Sequence, residues 1–299
     1  EAGRLAVVNE LSGVLKETYG LRESTYGALF LPMLGIAILT ALAAQSIRRV
    51  LSPRALFLAG LGIDIVFLLL LASVAAVPPA ARVPLLFGAH GLFGVSLAFM
   101  GIALNSGAVA IYPRAQSAAL SALHGVLGVG AAISPMLVNT FRTRGIWWVA
   151  PCVVASTLLI PMALAVLQRP QCFVERGEAR MSWRGLRRRF WLRGAPAVLY
   201  GITESALTAW AILYLIGERQ LPMSSGSRAL SAFWVAMTLG RGLSTFVVRR
   251  VSALSLTIAL SLATTLACFF VIGIRTESGA LFAYAFAGLA CSGVAPLLM

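Results

Sequence analysis

Lysine is nearly missing from this 299-residue chain: Lys16 is the only one. Acids are scarce as well, with 10 Asp and Glu in all, and charged residues make up only 11%. A soluble domain carries about 25%. The four cysteines, Cys152, Cys172, Cys268 and Cys291, form no CxxC pair, so they read as small apolar residues rather than a disulfide or metal framework. No glycine-rich phosphate loop, metal-ligand cluster or nucleophile–base constellation occurs. These gaps argue against an ATP-driven pump and against a hydrolytic enzyme; no cofactor or metal is expected. No stretch reads as a cleavable signal peptide.

What is present is apolar. Hydrophobic residues make up 59% of the chain, more than a soluble core absorbs. They fall into runs long enough to cross a hydrocarbon layer of about 30 Å, which takes about 20 helical residues. Helices satisfy their own backbone where there is no water. Short alternating segments, the mark of a transmembrane barrel, are lacking. The fold class is therefore all-α, a polytopic membrane protein. Ten spans are expected: a polar first one to Tyr19, then Ser24–Ile47, Ala55–Val77, Pro84–Tyr112, Ala115–Phe141, Ile146–Leu167, Trp191–Ile216, Arg228–Val248, Ala253–Ile274 and Gly279–Met299.

The net charge of +14 comes from arginine, clustered between the runs. Arg48, Arg49, Arg54, Arg114, Arg249, Arg250 and the group from Arg169 to Arg193 fall on one set of alternate links. Arg22, Arg82, Arg142, Arg144, Arg219 and Arg275 fall on the other. The positive-inside rule places the richer set in the cytoplasm. That pattern fits topology signals and not a nucleic-acid face, so no nucleic acid is expected as a partner. Residues 169–190 form the longest and most basic link, either a solvated tether or, through Met181–Arg187, a segment lying on anionic headgroups. It divides an N-terminal helical half, 1–168, from a C-terminal one, 191–299.

The halves echo each other. Ala28-Leu29 through Arg48-Arg49-Val50 matches Ala229-Leu230 through Arg249-Arg250-Val251 at constant offset and without a gap. Span two then corresponds to span eight. Internal repeats of this kind are typical of secondary transporters, whose substrate sites lie near midplane between the repeats. A parallel repeat of six-span halves predicts twelve spans, so part of one helix and two whole ones are expected beyond the ten.

Two stretches carry a family resemblance. One is Gly101-Ile102-Ala103-Leu104-Asn105 followed by Leu123-His124-Gly125-Val126-Leu127-Gly128-Val129-Gly130-Ala131. The other is Thr203-Glu204-Ser205, then Trp210 and Tyr214, then Phe233-Trp234 and Met237-Thr238-Leu239-Gly240-Arg241. Both resemble the major facilitator superfamily, and within it the fucose-permease-like branch of sugar/proton symporters. The superfamily's loop motif is degraded here to Ala43–Arg54 and lacks its acid. The acid that the branch often carries in span four is Gly101 here. The resemblance implies a bundle of two pseudo-symmetric six-helix halves, a glutamate in span seven that matches Glu204, and a gating or helix-dipole role for Arg241.

Charges inside a bilayer cost about 2.5–3.5 kcal/mol each on insertion scales, so each asks for a reason. Glu204 is the only charge between Gly194 and Gly217. It reads as a proton or substrate site, or as a buried, hydrogen-bonded glutamate. Arg4, Asn9 and Glu10 make span one polar, as befits a helix lining an aqueous cavity; the repeat offset sets Arg4 opposite Ser205. Asp64 is the other lone acid, weighted toward structural hydrogen bonding. His124 reads as a proton relay or a packed imidazole. Asn105 reaches the cavity or bridges helices. Trp210 and Trp234 stack on a substrate ring or pack in the membrane. Ser121, Gly125, Gly128 and Ala132 form a small-residue stripe fit for a close helix seam. Spans one, four, five and seven are expected around the cavity, with three and six outside.

Together these point to a secondary transporter working by alternating access: proton-coupled symport of a sugar-like or other small polar solute. The alternatives are an efflux carrier for hydrophobic compounds and a non-transporting receptor or scaffold. The expected partners are a small-molecule substrate, protons and the lipid bilayer. The expected setting is a bacterial inner membrane, with the chain as a monomer.

Overall fold

The computed structural model describes residues 2–114, 116–167, 188–248 and 250–294, and their side chains except at 2–5, 45, 117, 118, 121, 188–193, 245 and 253. The described residues fold as helices α1 Ala2–Tyr19, α2 Glu23–Leu42, α3 Ala44–Ile47, α4 Pro53–Ser73, α5 Pro79–Ile111, α6 Gln116–Arg142, α7 Val149–Leu167, α8 Arg188–Ala209, α9 Ala211–Gly217, α10 Met223–Val247, α11 Ala253–Ile272 and α12 Glu277–Cys291. Each expected span has its helix. Span two is broken at Ala43, leaving the single turn α3. Span seven is bent by 48° between α8 and α9. The expected link 169–190 lies outside the described residues as far as residue 187, with Cys172 and Met181–Arg187 among them.

Among the described residues, six helices are long and apolar enough to cross a bilayer, and the bent α8–α9 pair makes a seventh. The chain is a multi-pass helical membrane protein. The polar residues of α1 and α10 keep those helices out of that set, and α12 is short at 15 residues.

By contact the described chain divides into two units. The first holds residues 15–119 and 140–167; the second holds 2–14, 120–139 and 188–294. In the first unit α5 is central, with α2 and α4 packed on it and α7 packed on α4. Leu56, Gly60, Leu61, Asp64, Phe67, Leu68 and Leu71 form a buried stripe on α4 at helical spacing. Ser96 Oγ donates to the Gly60 carbonyl at 3.1 Å, and Phe67 stacks on Phe93 at 4.5 Å between centroids. Asp64 is fully buried in this packing. So is His90, whose Nδ1 lies 2.8 Å from the Leu86 carbonyl and whose ring stands edge-on to Phe30 and Phe67.

At one end of this unit Lys16 pairs with Glu23 at 2.5 Å and Arg142 with Glu17 at 3.2 Å. There too the Arg82 guanidinium lies 4.2 Å over the Tyr19 ring, and Trp147 Nε1 donates to the Tyr19 hydroxyl at 3.3 Å. On the opposite side Arg54, at the start of α4, donates to the last carbonyls of α7: Nε to Ala165 at 3.0 Å and Nη2 to Val166 at 2.6 Å. These bonds tie α4 to α7, which pack against each other. Arg54→Ala is expected to destabilise the protein by about 1 kcal/mol. A thermal melt in detergent checks this, and an unchanged midpoint would show the cap contributes nothing.

In the second unit α10 packs on α12, α12 on α11, and α9 on α10. This repeats the pattern of the first unit, with α10 in the place of α2, α12 of α5 and α11 of α4. The likeness reaches single atoms. A Cβ on Gly94 of α5 would overlap the carbonyl oxygen of Met33 in α2, and one on Gly288 of α12 would overlap that of Phe233 in α10. Met33 and Phe233 fall within the segments that matched in sequence. Arg219 performs the capping at the end of α11, donating through Nη2 to the Ile272 carbonyl and through Nε to the Tyr214 hydroxyl at 2.7 Å. Arg228 and Glu277 join the starts of α10 and α12 at 2.6 Å.

Candidate functional site

The site is built on α10. Ser227, Ser231, Trp234, Thr238 and Arg241 recur at steps of four and three and so lie on one face of that helix. Each meets something distinct. Ser227 Oγ donates to Glu10 Oε1 of α1. Thr238 fills the space left by Gly128 of α6, where an added Cβ would come within 3.2 Å of the threonine Cβ. The small-residue seam expected on α6 is thus real at Gly128. At Gly125 nothing comes near, and the Ser121 side chain lies outside the described ones. Arg241 Nη1 donates to the His124 carbonyl, one turn before Gly128, at 3.3 Å.

Glu204 enters from α8, half-buried. Tyr200 precedes it by one turn, and the two side chains therefore meet. The tyrosine hydroxyl comes close to the carboxyl yet closes no well-formed hydrogen bond. Arg241 lies within electrostatic range of Glu204, Tyr200 and His124. Cys291 of α12 borders the same group. Four helices thus deliver one carboxyl, one guanidinium, one phenol, one imidazole and one thiol to a single neighbourhood. Two of its donors are uncommitted: the Tyr200 hydroxyl and Arg241 Nε.

Further along the face the polar groups are enclosed. Residues 6–15 of α1 are buried. Asn9 is 1% exposed and neither amide atom has a partner. Glu10 is fully buried, held by Ser227. Gly13 admits α9 and α10: a Cβ there would lie 2.7 Å from Ile212 Cγ2 and 2.9 Å from Met223 Cε. Trp234 is 3% exposed, edge-on to Phe233, with its indole nitrogen unpartnered, as is the Ser231 hydroxyl. Unpaired buried polar groups are uncommon and each calls for a cause.

Trp210 sits at the bend between α8 and α9, partly exposed. No proline or glycine stands there. The Thr208 hydroxyl donates to the Glu204 carbonyl at 2.9 Å, and such back-bonding bends helices. The bend thereby lies within two turns of the carboxylate. Asn105 is exposed on α5, in the first unit. The Arg4 side chain lies outside the described ones.

Tyr200, Ser227 and Ser231 were not singled out in the sequence, and Cys291 read only as a small apolar residue. For Tyr200 the signal was its four-residue spacing from Glu204; for the two serines it was the spacing back from Trp234.

A family model described as Major Facilitator Superfamily matches residues 6–299. The chain belongs to the major facilitator superfamily, a class of secondary transporters that carry small molecules across membranes. Its fold is shared by solved structures of a bacterial homologue of the human lysosomal transporter Spinster. The inward-facing, occupied form is 13% identical with a TM-score of 0.62, over 99% of this chain and 70% of that one. The inward-facing, unoccupied form is 13% identical with a TM-score of 0.64, over 99% and 71%. No curated protein matches the sequence.

Proposed function

We propose that this protein is a proton-coupled symporter of a small polar solute, with Glu204 as the coupling group. The observation that carries the reading is the meeting of Glu204, Tyr200 and Arg241 within apolar helices. Ion coupling needs a group whose protonation alters substrate affinity or conformational preference. A carboxyl beside one cation and one phenol is such a group, because losing its charge frees both neighbours. The hydrogen-bonding residues along α10 suit a polar cargo better than a hydrophobic one. The halves 1–168 and 191–299, joined by the basic link, would rock about the site. Arg241 would serve as a gate, and Asn9, Glu10, His124, Trp210 and Trp234 would line the pathway with Arg4 and Asn105. The motif resemblance to the fucose-permease-like branch supports import, and the arginine distribution supports residues 169–190 in the cytoplasm of a bacterial inner-membrane protein.

The test is flux into proteoliposomes. An inward proton gradient should drive accumulation of a labelled polar solute, and a protonophore should abolish it. Accumulation that survives the protonophore would overturn the coupling.

A further inference from the structure

We propose that the cavity between the starts of α10 and α12 binds a zwitterion, whose anionic group meets Arg228 and whose primary ammonium meets Glu277. The site lies apart from Glu204 and does not depend on the transport reading.

The cavity measures about 240 Å³ and is lined by Ser225, Arg228, Glu277, Ser278 and Leu281. Clefts for drug-sized ligands run to about 300–1,000 Å³, so this one takes something smaller. Both helices begin here, at Met223 and at Glu277. At such ends membrane helices meet headgroups and water, where charges are tolerated. Arg228 Nη2 donates to Glu277 Oε2 at 2.6 Å and to Ser225 Oγ at 3.2 Å, and its Nε donates to the Ser224 carbonyl at 3.3 Å. Arg228 Nη1 and Glu277 Oε1 have no partner among the described residues. The ion pair thus joins one atom from each charged group and leaves another of each open. Its side chains are 58% and 49% exposed, and pairs so exposed add little to stability.

Charge balance selects the ligand. The lining carries one positive and one negative side chain. A monoanion drawn to Arg228 is repelled by Glu277, and a monocation drawn to Glu277 is repelled by Arg228. A polyol answers neither charge. A zwitterion answers both: its anion takes Arg228 Nη1 and its ammonium takes Glu277 Oε1, so that four charges alternate in sign. A quaternary ammonium has no N–H to give the carboxylate, which favours a primary amine. This chemistry has two sources, the headgroup of an aminophospholipid and a free zwitterion in solution. Leu281, one turn into α12 and exposed, gives the cavity an apolar edge on which a lipid could continue.

The test follows the melting midpoint of the purified protein in detergent at fixed ionic strength. Glycerophosphoethanolamine and taurine should raise it, glycerophosphocholine less so, and the singly charged glycerophosphoglycerol and ethanolamine not at all. Arg228→Gln and Glu277→Gln, each measured against its own midpoint, should weaken the zwitterion about tenfold. They should also switch selectivity: Arg228→Gln leaves a lone carboxylate and should turn to ethanolamine, and Glu277→Gln leaves a lone guanidinium and should turn to glycerophosphoglycerol. Arg228→Glu combined with Glu277→Arg rebuilds the ion pair with its charges exchanged. It should fold normally and regain the zwitterion response. Phosphatidylcholine nanodiscs with and without phosphatidylethanolamine separate the sources. A shift from the lipid alone, lost in Arg228→Gln, makes the occupant a headgroup, and a shift from the free probes makes it a solute; either supports the site. No shift from free probe or lipid, equal shifts from the singly charged probes, or a response that both glutamine variants keep would reduce Arg228–Glu277 to a structural ion pair and overturn the proposal.

Discussion

Glu204→Gln should abolish proton-driven uptake while leaving counterflow exchange largely intact. The amide copies the shape and charge of the protonated carboxyl, so solute binding should survive the substitution. What it cannot do is take up and release a proton in each cycle. Exchange of labelled for unlabelled solute needs no net proton movement and should continue. Accumulation should fall to the equilibrium level, a loss of one to two orders of magnitude or about 1.4–2.8 kcal/mol of driving force. Normal pH-dependent accumulation by the variant would remove Glu204 from the mechanism. Loss of both activities would assign the residue to binding or folding. Counterflow and gradient-driven uptake measured in one preparation separate these outcomes.

The second large effect is on folding. Gly94→Ala and Gly288→Ala each add a single methyl group where the neighbouring atom is backbone. At Gly288 the new Cβ would stand 2.8 Å from the Phe233 carbonyl carbon and 2.9 Å from its Cα. At Gly94 it would stand 3.1 Å from the Met33 carbonyl carbon and 3.2 Å from the Ala37 nitrogen. No rotamer change relieves such overlap, so the helices must separate. Overpacking of this kind costs about 1–3 kcal/mol, and the rigid partner puts these positions at the upper end. Gly35→Ala and Gly125→Ala make the same chemical change where nothing lies within 4 Å. They should be neutral or slightly stabilising. Size-exclusion profiles and melting midpoints should divide the four variants two and two. Equal behaviour would mean that the α2–α5 and α10–α12 seams are not close-packed.

These seams also mark where sequence reading stopped. The spans were legible because apolar runs of bilayer length are unambiguous, and Glu204 because a lone charge in such a run is conspicuous. The repeat was legible from Ala28–Val50 and Ala229–Val251, yet nothing there says which helix presses on which carbonyl. That depends on the backbone approach, which only three-dimensional packing reveals. Tyr200 was passed over because a tyrosine in an apolar run reads as an interfacial anchor; its role comes from the carboxyl one turn away. The face Ser227–Arg241 was written at steps of four and three, but its serines are too common in membrane helices to stand out singly. The polarity of α1 was read as openness, whereas Asn9 and Glu10 are enclosed; polarity marks a need for partners and does not distinguish water from protein. His90, buried against Phe30 and Phe67, gave no sign in sequence of its burial.

The central claim is that solute and proton move together through Glu204. Proteoliposomes loaded with the pH dye pyranine measure it directly. A solute gradient imposed without any pH gradient should acidify the lumen as solute enters the wild-type protein. With Glu204→Gln, labelled solute should still equilibrate while the dye signal stays flat. Acidification of equal size in both would contradict the account.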